Sequence, residues 1–444
     1  MQPVEQSLSG WGRFPRARCS LYRPERISEV PQIIGFGRNE KYIARGYGRS
    51  YGDASLNHDN GVVLMERMDR FLSFDPDTGI LRCEAGVQLA EIIKYFLPQG
   101  WFLPVTPGTK FCSIGACVAC DVHGKNHHKD GSLGNFVEEI RLFTPSGEVV
   151  RGSRKENVDL FLATIGGMGL TGIILEVTFR LRPVKSAYIS VDYIRTKDLD
   201  ETLASFEELD SQYTYSVGWL DCLARGPSFG RGLLMFGNHA EPGELSPLRT
   251  KKARLVTVPF DFPPGILNKY SLQIFNLLYY NMQKPRKKTL VDYDKFFYPL
   301  DKVLQWNRIY GKKGFLQYQC VVPRKSSVDA LTRILEAIKK SGIFPFLAVL
   351  KRMGSSSGGI LSFPMPGYTL ALDFPFKNNV LDLLTTLDEI VLGVRGRVYL
   401  AKDARLSPES FKLMYPNLDR WQKIKAGVDP QDVFVSDLAK RVGL

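Results

Sequence analysis

Ten residues near the start of the chain, Ala44-Arg-Gly-Tyr-Gly-Arg-Ser-Tyr-Gly-Asp53, restrict its fold more than any other segment. Gly46, Gly48 and Gly52 fall within seven residues, just after a β-rich run at 42–44. Without a Cβ, glycine takes positive φ freely, so successive N–H groups can turn to one side and form a nest for an anion such as a pyrophosphate. Arg49 and Ser50 add further donors. The competing reading is an ordinary glycine-rich turn, which has little need of three glycines together with Arg and Ser.

A second polar segment follows. Pro104-Val-Thr-Pro-Gly-Thr109 leads to the small residues Ser113-Ile114-Gly115-Ala116, which let a flat ligand approach the backbone. Cys120-Asp-Val-His-Gly-Lys-Asn-His-His128 then places His123, His127 and His128 within six residues, leaving only His58 and His239 elsewhere. A surface loop rich in His and Lys is the bland alternative, and the concentration of scarce residue types favours a site. Cys112, Cys117 and Cys120 match the C-x4-C-x2-C spacing of plant-type [2Fe–2S] proteins. A fourth thiolate would have to come from Cys222 or Cys320, so the three read as small buried apolar residues and no metal is expected. In a third motif, Gly167, Gly169 and Gly172 satisfy G-x-G-x-x-G, with Asp192 twenty residues on. A dinucleotide fingerprint follows a strand and opens a helix. This one follows a helical pattern (157–165) and opens a strand (173–181), so it is rejected as such a fingerprint.

At 444 residues, 44% apolar and 24% charged, the chain is long enough for two or three domains and has a globular composition. Seven cysteines, an odd number spread over a long chain, argue against a disulfide framework. No apolar run reaches bilayer length and residues 1–18 lack an apolar signal core, so the expected compartment is the cytoplasm. Residues 1–186 alternate short strands with helical patterns. A strand is predicted at 80–83, a helix at 88–97 stopped by Pro98 and Gly100, and a hairpin from 137–143 and 147–150. Beyond Pro183, longer strands (187–194, 314–322, 368–374) and a helix at 327–341 predict a second domain, residues 187–397, around a larger antiparallel sheet. A final segment, 398–444, carries a helix at 408–415. The expected fold class is α+β.

In this order the three motifs resemble the vanillyl-alcohol-oxidase / p-cresol-methylhydroxylase (PCMH) type of FAD-binding domain. More closely, Arg45-Gly-Tyr-Gly-Arg-Ser-Tyr-Gly-Asp53, His123-Gly-Lys-Asn-His-His128 and Gly169-Leu-Thr-Gly-Ile-Ile174 are similar to the decaprenylphosphoryl-ribose oxidase family. So are Phe297-Tyr-Pro-Leu-Asp301, Gly314-Phe-Leu-Gln-Tyr-Gln319, Leu361-Ser-Phe-Pro364, Asp373-Phe-Pro375, Tyr399-Leu-Ala-Lys-Asp403 and Met414-Tyr-Pro416, so the likeness spans nearly the whole chain. It implies a two-part PCMH-type FAD-binding domain and a substrate (cap) domain whose large antiparallel sheet is flanked by helices. The implied reaction is FAD-dependent oxidation of the 2-hydroxyl of a polyprenyl-phosphoryl-β-D-ribose to the 2-keto sugar. That is the first half of a ribose-to-arabinose epimerisation for cell-wall arabinan, completed by a separate NAD(P)H-dependent short-chain reductase.

The resemblance also implies roles. Ala44, Arg45, Gly46, Tyr47, Gly48, Arg49, Ser50, Tyr51, Gly52, Asp53 and Ala54 would hold the FAD pyrophosphate. Gly108, Ser113, Ile114, Gly115, Ala116, His123, Gly124, Lys125 and Asn126 would line the flavin. Ile174 and Tyr399 would complete the pocket, which returns residues 398–444 to the FAD domain. Members that attach FAD covalently carry His in the first phosphate loop; Arg49 stands here, which implies non-covalent FAD. Thr369 and Ala371 stand where the mycobacterial members usually have Asn and Cys, a departure that touches substrate detail rather than reaction class.

Lys402 is the expected cation beside the flavin and the substrate oxygen, against the alternative of an ordinary surface lysine. Tyr51 and His123 are candidate acceptors of the hydroxyl proton. Gln317 and Gln319 flank Tyr318 on one strand, so both face one way and can bind sugar hydroxyls; Thr369 belongs to the same substrate set. Lys125 and Lys351 are candidate phosphate partners. Over 265–288, Leu267, Tyr270, Ile274 and Leu277 share a helical face, and Lys284-Pro-Arg-Lys-Lys288 follows. That pattern suits an anchor on an anionic membrane, or a core helix followed by a solvated basic loop. The net charge of +13 is dispersed and accompanies no nucleic-acid motif, so no nucleic-acid partner is expected. The nearest competing function is FAD-dependent oxidation of a soluble sugar, alditol or aldonolactone.

Overall fold

The computed structural model describes residues 2–34, 40–241, 248, 255–263, 265–377 and 379–444. Two sheets organise the first part of the chain. One has the spatial order Val4–Ser9, Arg16–Tyr22, Gly61–Leu64, Tyr42–Arg45. Gly61–Leu64 pairs in parallel with both of its neighbours and is buried along its whole length, as an apolar strand covered on both faces must be. The other sheet is antiparallel, in the order Phe71–Asp75, Ile80–Glu84, Ile173–Arg180, Val137–Phe143, Val149–Ser153. The helix Leu89–Phe96 turns Leu89, Ile92, Ile93 and Phe96 inward, the spacing of a single helical face, and its chain direction changes at Gly100 with φ 86°.

The second part is an eight-stranded sheet. Its order is Arg286–Asp292, Tyr188–Thr196, Gly232–His239, Tyr215–Leu220, Leu347–Met353, Gly367–Pro375, Phe315–Pro323, Arg397–Val398, with every neighbouring pair antiparallel. The period of two along each strand divides the work. Leu316, Tyr318, Cys320, Leu350, Leu370, Leu372 and Phe374 join the hydrophobic core under the helices Leu199–Leu209, Ser327–Ser341 and Val380–Gly393. The intervening Gln317, Gln319, Val349, Lys351 and Ala371 face the other way, into a cleft. Each fully buried Leu or Ile under the helices contributes roughly 1.5–3 kcal/mol. A one-residue register slip would send the polar set into that core, so the pattern itself fixes the register. The architecture is α+β with a large antiparallel sheet flanked by helices, as the sequence predicted.

Two connections fix the glycine-rich loop between the two parts. Trp11 and Gly12 N–H groups donate to the carbonyls of Ser50 and Tyr51 at 2.8 and 3.2 Å. A Cβ on Gly10 would lie 2.5 Å from the Gly52 carbonyl oxygen, so this contact needs glycine. From the far end, the Tyr42 N–H donates to Val433 O, and Asp437 N–H donates to Leu56 O, both at 2.8 Å. The Trp421 indole, fully buried, donates to Ala163 O at 2.9 Å. Residues 398–444 therefore pack back against the first sheet.

The glycine-rich loop corrects one expectation. Of its three glycines, Gly48 alone has positive φ, 62°. Gly46 and Gly52 are required by crowding instead. A Cβ at 46 would sit 2.3 Å from Ser113 Oγ, and one at 52 would sit 1.8 Å from Asp403 O.

Candidate active site

A cleft of about 620 Å³ separates the glycine-rich loop from the free face of the eight-stranded sheet. Gly46 to Tyr51, Gly108, Ser113, Gly115, Ala116, Cys120, His123 and Ile174 form one wall; Gln317, Gln319, Val349, Lys351, Ala371, Tyr399 and Lys402 form the other. The loop is built to receive an anion. Its Ser50 and Tyr51 carbonyls are turned outward to the N-terminal hairpin, and among the described residues none accepts a hydrogen bond from the backbone N–H of Gly46, Tyr47, Gly48, Arg49 or Ser50. Those unspent donors, with the Arg49 guanidinium stacked 4.2 Å over the Trp11 ring, fit a pyrophosphate. Gly108 adds an open stretch of wall, since a Cβ there would meet nothing within 4 Å.

A hydrogen-bonded relay runs from the opposite wall to His123. The Thr369 hydroxyl donates to Cys320 O at 2.8 Å, so its oxygen accepts from Gln319 Nε2 at 3.1 Å. The same amide donates to His123 Nε2 at 2.9 Å. His123 Nε2 is thus an acceptor and its Nδ1 carries the proton, without a partner. Burial, reinforced by Lys351, His127 and Lys402, holds His123 well below the ordinary imidazole range, so it is neutral at pH 7. Tyr399 donates to Cys120 O at 2.8 Å and stacks on Phe363, 4.6 Å between centroids.

Two lysines share this wall. Lys402 Nζ lies 3.8 Å over the centre of the Tyr51 ring. Burial lowers Lys402 to about 8, with Asp373 opposing the fall; burial and the charge of Lys402 lower Lys351 to about 8. The Tyr51 phenol is pushed well above its usual value, chiefly by burial and then by Asp373. Tyr51 is therefore held protonated, which corrects its expected role as proton acceptor: it can donate to an oxyanion but cannot take a proton near neutrality.

Several expected residues lie elsewhere. Lys125 is the clearest correction. Its ammonium donates to Phe296 O and sits 4.2 Å over the Phe296 ring, outside the cleft, so it is no phosphate partner. Thr369 is fully buried behind Gln319 and orients that amide rather than touching a ligand. Arg45 spends its guanidinium on Ser55 and Ser9 O, and Asn126 on Pro104 O and Asp130. Asp53 is paired with Arg441, Ile114 is fully buried in the core, and Gly124 packs against Thr106. Gly52 and these five support the wall from behind. Among the described residues no group of three His, Cys, Asp or Glu could hold a metal ion. The Cys112 and Cys117 sulfurs instead touch each other at 3.4 Å.

Two residues were missed. Asp373 accepts from Gln317 Nε2 at 2.5 Å, leaves its second oxygen unpartnered, and is raised to about 7 by burial. An acid between Leu372 and Phe374 in an apolar strand was the available signal. Arg441 bridges Asp53 (2.8 and 2.9 Å) and Asp403 (2.8 Å), tying the phosphate-side loop to the Lys402 loop; nothing in its local sequence marks it.

Comparison with known proteins identifies the family and its cofactor. A family described as "FAD binding domain" matches residues 20–153, and one described as "D-arabinono-1,4-lactone oxidase" matches 298–442. The chain is 39% identical to the decaprenylphosphoryl-β-D-ribose oxidase of Mycolicibacterium smegmatis, over 98% of this chain and 97% of that one. It belongs to the decaprenylphosphoryl-β-D-ribose oxidase family. It is an FAD-dependent oxidoreductase. More distant relatives include the L-gulono-1,4-lactone dehydrogenase of Mycobacterium tuberculosis, 22% identical over 97% of this chain and 98% of that one. A putative D-arabinono-1,4-lactone oxidase of Neurospora crassa is 27% identical over 39% of this chain and 32% of that one. No helix among the described residues is long and apolar enough to cross a membrane.

Proposed function

We propose that the enzyme oxidises the 2-hydroxyl of a polyprenyl-phosphoryl-β-D-ribose to the 2-keto sugar. Bound FAD supplies the two-electron acceptor. The chain's own residues do the rest. The free N–H groups of residues 46–50 and Arg49 would hold the pyrophosphate without a covalent link, since no histidine stands in this loop. Gln317 and the side-chain amide oxygen of Gln319 would grip sugar hydroxyls, and Lys351 the phosphate. Lys402 would stabilise the oxygen that loses its proton. Residues 1–186 would carry the cofactor, 187–397 the substrate, and 398–444 would brace the site from behind.

The observation that carries this reading is the shared cleft: two amides and two lysines suited to a sugar phosphate line the same cavity as the anion nest. An aldonolactone offers no charge to the lysine pair, which disfavours the soluble-substrate alternative. The keto product then calls for a separate NAD(P)H-dependent short-chain reductase to complete the epimerisation. A prenyl-linked substrate would be met at the inner face of the plasma membrane. The test is the visible spectrum of the anaerobic holoenzyme before and after a short prenyl-phosphoryl ribose is added. Bleaching of the flavin band supports the reading; an unchanged band alongside bleaching by an aldonolactone overturns it.

A further inference from the structure

We propose that the helix Lys269–Met282, the basic strand after it and the apolar segment 255–260 form one docking face for an anionic lipid bilayer, placed so that the cleft opens at the membrane surface. The inference takes its purpose from the prenyl-phosphate reading above, but its physics stands on exposure and charge. Tyr270, Ile274 and Leu277 are 74%, 61% and 51% exposed and recur at helical spacing along one side, and Met282 at the helix's last residue is 75% exposed. The opposite side is anchored. Leu272 is buried, Asn276 Nδ2 donates to Asp221 at 2.7 Å, and the Tyr280 hydroxyl donates to Thr196 O at 3.0 Å. Leu267, expected on the apolar face, precedes the helix and packs against the core instead. The capping box of Asn268 and Ser271 starts the helix there and fixes which side faces out.

The helix holds no acidic residue, and Lys284, Arg286, Lys287 and Lys288 follow it, all exposed. Apolar side chains beside an all-basic cluster complement a surface with an apolar interior and negative headgroups. A second copy of this chain would bring two basic clusters together, which disfavours self-association through this face. The face also continues to the cleft mouth. Val256–Thr257 pairs with Val303–Leu304, whose side chains line the cleft, while Val256 and Phe260 are exposed. Phe275 of the helix packs 5.4 Å from Phe346, next to the cleft residue Leu347. A lipid-linked substrate could thus pass its sugar into the cleft while its chain stays in the bilayer.

The test is sedimentation of the holoenzyme with vesicles of phosphatidylglycerol and phosphatidylcholine in equal parts, and with phosphatidylcholine alone. Binding to the anionic vesicles, weakened by salt, is expected. Changing Lys284, Arg286, Lys287 and Lys288 to Glu should cut it roughly a hundredfold or more. The triple change Ile274→Glu, Leu277→Glu, Met282→Glu should also abolish it, while the flavin band and turnover of a short, water-soluble substrate stay as in wild type. Wild-type protein left in the supernatant, a triple variant that still binds, or a vesicle-independent dimer dissolved by the triple variant would each overturn the proposal. Bound vesicles with no turnover of prenyl-phosphoryl ribose would leave the docking face standing and sink the substrate reading; turnover without vesicle binding would do the reverse.

Discussion

Replacing Lys402 by Met tests its proposed catalytic role apart from its part in folding. Methionine keeps most of the apolar stem and removes the charge. Holding the ammonium in its site, with its pKa moved from 10.5 to about 8, costs on the order of 3 kcal/mol relative to water. The contact over the Tyr51 ring returns about 1–2 kcal/mol of that. The variant should therefore unfold at the wild-type temperature or slightly above it, and should keep its flavin absorbance. Turnover should fall by a factor of roughly 10²–10³, the usual loss when one preorganised group aimed at a developing oxyanion is removed. The assay is single-turnover flavin reduction by prenyl-phosphoryl ribose, with thermal unfolding and flavin content measured on the same preparations. Reduction within about fivefold of wild type would refute the assignment, since a group stabilising the transition-state charge is worth more than 1 kcal/mol. A variant that loses its flavin and unfolds early would refute the energetic argument instead.

Four other outcomes follow from the same contacts. Lys351 and Lys402 are both lowered to about 8, so both are largely cationic below that pH and lose charge above it; KM for an anionic substrate should rise past pH ~8 while that for a neutral sugar stays flat in steady-state assays. Thr369→Val frees the Gln319 amide and should lower kcat/KM about three- to tenfold, near the worth of one hydrogen bond, with the FAD content unchanged. Gly52→Ala puts a Cβ 1.8 Å from Asp403 O and should destabilise the fold by about 1–3 kcal/mol or more, with weakened flavin retention, read by thermal unfolding and gel filtration. Arg441→Met leaves Asp53 and Asp403 buried without their cation and should cost about 3–5 kcal/mol in a denaturant titration.

The fold was legible where periodicity was strong. The helix predicted at 327–341 occupies Ser327–Ser341, because apolar residues at 330, 331, 334, 335 and 338 admit one period only and Gly342 stops it in the left-handed region. The strands carrying Gln317 and Ala371 were each legible for the same reason, since alternation assigns each residue a face, but nothing in either run says that they pair with one another. The parallel pairing of Gly61–Leu64 with strands from either side was not, because a four-residue apolar run does not name its partners. At the site, Gly46 and Gly52 were recognised for the wrong reason: sequence shows that a side chain is missing, not whether φ or a neighbour such as Asp403 O excludes it. Lys125 failed because its local motif cannot reveal that Phe296, 171 positions on, supplies a carbonyl and a ring to its ammonium. Arg441 and its two aspartates are joined only by the returning C-terminus.

The hydroxyl proton of the substrate narrows to few acceptors once these positions are compared. Tyr51 is held as a phenol, and its charge would be disfavoured further by Asp373. His123 is neutral, but its basic Nε2 already accepts from Gln319, and that amide is fixed by Thr369. Taking a proton there would first require Gln319 to let go. Asp373, at about 7, has an oxygen to spare but stands behind Gln317 rather than on the cleft surface. Lys402 reaches the cleft, feels Asp373, and at about 8 already exists partly as the free amine at neutral pH. Its amine form can take the proton, and the charge of Asp373 favours the ammonium so formed. On this reading one residue both receives the proton and supplies the cation, and the sheet behind it sets the pKa that lets it do both.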